Sequence, residues 1–91
     1  MPTIHITRKH KRPLPEAKAA IERIAKGIAK RFSVDYGWND NVLDFSRAGV
    51  DGHIALTKTE VKVKADISFL MLPIKGAIED EIRKHLEAEF G

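Results

Sequence analysis

Ninety-one residues leave room for one domain with one small core, and size scaling puts about 5,300 Å² of surface on the folded chain. At 43% hydrophobic and 32% charged, the composition is that of a soluble globular domain, and the lack of cysteine excludes disulfide scaffolds, thiolate metal sites and thiol nucleophiles. No apolar run approaches the ~20 residues that span a bilayer and the N-terminal stretch is charged rather than signal-like, so a cytoplasmic location is expected.

The net charge of +3 hides an asymmetry. Residues 1–33 carry nine basic side chains against Glu16 and Glu22, a balance of +7, whereas residues 34–91 stand at −4. A basic front and an acidic back can attract an anionic partner, or each other within a homodimer.

Thr3 to Thr7 alternates Ile4 and Ile6 with polar residues, which predicts a short strand with one apolar face. Arg8-Lys9-His10-Lys11-Arg12-Pro13 follows as a charged loop. Pro15 and Glu16 suit the opening turn of a helix, where a missing N–H costs nothing and a carboxylate favours the dipole. Steps of three and four from Ala17 through Ile21, Ile24 and Ile28 predict an amphipathic helix running to about Phe32. Gly27 lies inside it at a cost of about 1 kcal/mol relative to alanine, and close approach of the helix to the sheet would account for it.

From Val34 the period changes to two. Val34, Tyr36 and Trp38 share a strand face, Asn39-Asp40-Asn41 reads as a turn, and Leu43 and Phe45 begin the return strand. Ala48-Gly49-Val50-Asp51-Gly52 reads as a second turn, Ile54 and Leu56 as a strand, and Lys58-Thr59 as a third turn. Val61 to Phe69 then forms a long alternating strand whose other face carries Lys62, Lys64, Asp66 and Ser68. Pro73 starts a second helix with the stripe Ile74, Ile78, Ile82, Leu86 and Phe90. The order β-α-β-β-β-β-α fills residues 1–91 as a single domain. Its short turns make the last four strands an antiparallel meander, and one polar sheet face sends both helices to the other. The expected fold class is an α+β two-layer sandwich, preferably one with a strand curled around the C-terminal helix in a reduced helix-grip manner.

Arg8, Lys9, Lys11 and Arg12 form the candidate contact for an anionic partner, against the plainer role of a solvated loop that guards an edge strand. Nucleic acid is not the expected partner. The last helix opens into Glu79-Asp80-Glu81 where a double-stranded RNA-binding domain places lysines, and Gly49-Val50-Asp51-Gly52 joins strands where the G-x-x-G of a KH domain joins helices. His5, His10, His53 and His85 form no pair at helical ligand spacing, so they read as surface histidines and no metal or cofactor is expected. Asp35, Asp40, Asp44 and Asp51 fall in or beside turns, and no serine sits in a G-x-S-x-G setting. No enzymatic activity is expected.

Phe69-Leu70-Met71-Leu72-Pro73-Ile74 breaks the alternation into a continuous apolar run. It is either the buried strand end and helix start or an exposed lip, and Phe69, Leu70, Met71 and Leu72 are the candidate apolar contact. Tyr36, Trp38 and Phe45 are candidates to line a small apolar-ligand space between sheet and helix, against ordinary core packing.

Ile4-x-Ile6 with the basic, histidine-containing loop, then Val50-Asp51-Gly52, then Phe69-Leu70-x-x-Pro73-Ile74-Lys75-Gly76-x-Ile78-Glu79 resembles the polyhydroxyalkanoic acid system protein family over nearly the whole chain. The resemblance implies a small bacterial protein associated with polyhydroxyalkanoate biosynthesis, utilisation or granule-surface genes. It carries no reaction and no catalytic residues. The expected function is therefore that of a non-enzymatic accessory protein of this storage system. Its expected partner is the granule or a granule-associated protein, reached from the cytoplasm through the apolar run.

Overall fold

The computed structural model describes residues 3–91. Strand β1 (Thr3–Lys9) is followed by helix α1 (Leu14–Phe32), then β2 (Asp35–Asn39), β3 (Val42–Arg47), β4 (Val50–Leu56) and β5 (Glu60–Ile67). A 3-10 helix, Phe69–Ile74, leads into α2 (Lys75–Phe90). All pairings are antiparallel and the sheet order is β1-β5-β4-β3-β2, so the first and last strands pair although the whole meander separates them in sequence.

Alternation decides which side chains are hidden. Ile4 and Ile6, Leu43 and Phe45, Val50, Ile54 and Leu56, and Val61 to Ile67 at every second position are buried on one sheet face. The helices cover that face with Ile21, Ile24 and Ile28 from α1 and Ile78, Ile82 and Leu86 from α2. This is the expected α+β two-layer sandwich. The arrangement within the helix layer differs from the preferred variant: α1 lies over β4 and β2, while α2 lies beside α1 and over β1. The surface area is 5456 Å², as size scaling gives for one small core. No helix is long and apolar enough to cross a membrane among the described residues.

Helix α1 follows the rules of its termini. Pro15 and Glu16 open it, Lys30 and Arg31 sit in its last turn, and Ser33 ends it in the left-handed region at φ 58°, its N–H bonding the Ala29 carbonyl. The Arg47 guanidinium adds a bond of 2.7 Å to the Phe32 carbonyl. Helix α2 runs against its dipole, with Lys75 at its start and Glu87 and Glu89 near its end. Ion pairs from Arg8 to Glu87 and from Arg23 to Glu89 offset those terminal acids, and Arg31 approaches Glu81. The basic front and acidic back of the sequence therefore meet in part inside one chain, between β1, α1 and α2.

Three expectations change. Gly27 faces α2 rather than the sheet: a Cβ there would stand 2.7 Å from His85 Cε1. The second turn is only Ala48-Gly49, because Val50, Asp51 and Gly52 already pair with Arg47, Ser46 and Phe45. The last strand ends at Ile67, so Phe69 leaves the sheet.

Candidate docking surface

The apolar run splits by the threefold period of a 3-10 helix. Met71 and Ile74, three residues apart, pack inward against the core. Phe69 and Leu70 point outward and are 79% and 87% exposed, the large hydrophobic side chains that the fold leaves in water. Leu72 is half-buried beside them and Pro73 is exposed. Of the four candidate contact residues, the structure therefore presents Phe69 and Leu70, supports them with Leu72, and assigns Met71 to packing.

Two bonds and one close contact fix this lip. The Ser68 N–H donates to the Gly49 carbonyl at 2.8 Å, and the Met71 N–H donates to the Ser68 carbonyl at 3.0 Å. Met71 closes over Gly49, which at φ 86° has no side chain to oppose it. The exposed pair thus stands on a pinned turn at the end of β5. Sequence alternation placed Phe69 inside because it assumed that the strand continued. Ser68 at the strand end and Pro73 two residues before α2 were the signals of a change in period.

The four candidate cations lie at the other end of the molecule. Lys9 pairs with Glu60 at the start of β5, and six strand steps of about 3.4 Å separate that position from Asp66 at the lip end. They are not equivalent. Arg8 is paired with Glu87, and Arg12 lies over the Phe90 ring at 5.7 Å, whereas Lys9 and Lys11 are exposed. His10 corrects the surface reading, since it is buried. Its Nε2–H donates to the Thr57 carbonyl at 2.8 Å, its Nδ1 accepts from the Arg12 N–H at 3.2 Å, and its ring meets Phe90. Those bonds staple the loop to the β4–β5 turn.

Tyr36, Trp38 and Phe45 are packing residues. Phe45 is buried, and the other two clamp β2 to α1 through one carboxylate. Tyr36 Oη donates to Glu22 Oε2 at 2.6 Å and Trp38 Nε1 donates to Glu22 Oε1 at 2.7 Å. The Tyr36 bond, then the Trp38 bond, holds the Glu22 carboxyl below the usual carboxylate range. Lys18 Nζ sits 4.8 Å from the Trp38 ring centroid, completing the clamp.

The polar sheet face carries a groove of about 570 Å³. Asp35, Asp44, Asp51 and Asp66 line it, with His53 and Lys64. Three of these aspartates were expected in or beside turns, yet they lie within β2, β3 and β4. Register brings them together: Asp35 opposes Ser46, Ser46 opposes Asp51, and Asp51 opposes Asp66. Cross-strand register, which spacing alone does not give, was the missing information. Among the described residues no three His, Asp or Glu side chains converge as a metal site requires.

Fold and surface together define a small two-layer α+β domain that displays an apolar knuckle from a rigid turn. The chain belongs to the family described as Putative polyhydroxyalkanoic acid system protein, which it matches over residues 4–90. No match is found among curated proteins or among solved structures.

Proposed function

We propose that this polyhydroxyalkanoate-system protein is a non-enzymatic accessory that docks on the surface of the storage granule through Phe69 and Leu70. The observation that carries the reading is the exposure of these two side chains on a turn whose other apolar residues, Met71 and Ile74, are spent on holding it in place. A polyhydroxyalkanoate is an aliphatic polyester, so its surface offers apolar chain with few donors. Phe and Leu side chains are matched to such a surface, and they bring no acid, base or nucleophile that would act on the ester bonds.

Burying each side chain at the polymer is worth roughly 1.5–3 kcal/mol before the cost of association. The contact of a single copy is then weak and governed by these two residues. Sedimentation with amorphous granules tests it. Phe69→Ser with Leu70→Ser should lower the bound fraction by at least about 100-fold in affinity, at one tenfold step per 1.4 kcal/mol. Equal sedimentation of the folded double variant and the parent would overturn the docking role.

A further inference from the structure

Among the charged side chains that ion pairing inside the chain leaves unmatched, two clusters lie at opposite ends of the sheet. Glu60, Glu79, Glu81, Glu87 and Glu89 all have basic partners. Asp35, Asp44 and Asp51 in the groove have none among the described residues, and Asp51 stands directly opposite Asp66, a like-charged cross-strand pair. At the far end, Lys9 and Lys11 are exposed and unpaired among the described residues, and so is Lys58 in the turn to which His10 staples their loop. Strand β5 is a rigid spacer between the two groups. Six steps of about 3.4 Å separate the position opposite Lys9 from Asp66, so a loop fixed by His10 cannot reach its own groove.

We infer that the groove on the polar sheet face receives the Lys9–Lys11 loop of a second copy of this chain. The charges agree: the groove is an open trough of about 570 Å³ whose four carboxylates outnumber Lys64, and the end of β1 with the loop after it is pinned by His10 and carries exposed ammonium groups at Lys9 and Lys11. Donor and acceptor surfaces differ, so two copies either exchange loops reciprocally in a closed dimer or add head to tail into larger assemblies. Assembly depends on salt, since exposed charges are screened within about 10 Å at 0.1 M ionic strength.

Two neutralising variants separate this contact from any other. Lys9→Ala with Lys11→Ala keeps the groove and removes the loop's charge, and Asp44→Asn with Asp51→Asn does the reverse. All four positions are exposed, and circular dichroism confirms the fold of each. Sedimentation velocity at low salt should show dimers or larger species for the parent, lost at high salt, and monomers for each variant alone. An equimolar mixture of the two should form a 1:1 complex and nothing larger, because only one loop and one groove remain. A parent that stays monomeric at low salt would overturn the inference. So would assembly that survives either variant, or a mixture that forms no complex.

Discussion

Met71 lies over Gly49, its side chain occupying the space a Cβ at position 49 would need. One contact thereby ties the β3–β4 turn to the 3-10 helix and decides which way the apolar run faces. With Met71 turned inward, the threefold period sends Leu70 outward.

Gly49→Ala should destabilise the domain by about 2–4 kcal/mol, combining the left-handed backbone cost with overpacking against Met71. Adding Met71→Ala relieves the overpacking, so Gly49→Ala in that background should cost only about 1–2 kcal/mol. Chemical denaturation of the four proteins gives the coupling. No coupling would mean that Met71 does not hold the turn.

Helix contact, rather than helix propensity, governs Gly27. Alanine is worth about 1 kcal/mol over glycine in a helix interior, but here its Cβ meets the His85 ring, which is held by Glu81 at 2.9 Å. Gly27→Ala should therefore be neutral or destabilising in the parent. In a His85→Ala background it should stabilise by about 0.5–1 kcal/mol. Equal gains in both backgrounds would contradict the close approach of α1 and α2.

Glu22 makes β2 sensitive to acid. Its carboxyl is held below the ordinary value of 4.5 by the Tyr36 and Trp38 bonds, so the unfolded chain takes up this proton first as pH falls. The stabilisation from Glu22 is complete above pH 4.5 and is lost as pH drops through the lower folded value. Glu79 and Glu89, depressed chiefly by Arg83 and Arg23, lose stability in the same direction. Glu22→Gln should be less stable than the parent at neutral pH, with the difference narrowing as pH falls below 4.5. Thermal melts followed by Trp38 fluorescence measure it, and a constant difference across that range would show that the clamp does not depend on the charge.

Element order, the antiparallel meander and the buried faces were legible because period-two and period-3.6 patterns are local. The two sites were less so. Whether Phe69 lies inside or outside turned on one unit of chain being wound as a 3-10 helix, a choice that Gly49, twenty residues earlier, helps to fix. His10 looked like a member of a solvated cluster, and its burial depends on Thr57 and Phe90 from elements that sequence spacing does not place nearby. The groove aspartates needed the register of four strands before they could be seen as neighbours.

The docking claim is tested most directly by a reporter at the lip. The chain has no cysteine, so Leu70→Cys and Lys58→Cys each accept one environment-sensitive fluorophore, at the lip and at the opposite end of the sheet. On addition of polyhydroxyalkanoate granules, the label at position 70 should shift to the blue and lose access to an aqueous quencher, while the label at position 58 should change little. A shift at position 58 alone, or no change at position 70 while the protein sediments with the granules, would contradict the assignment of Phe69 and Leu70 as the docking surface.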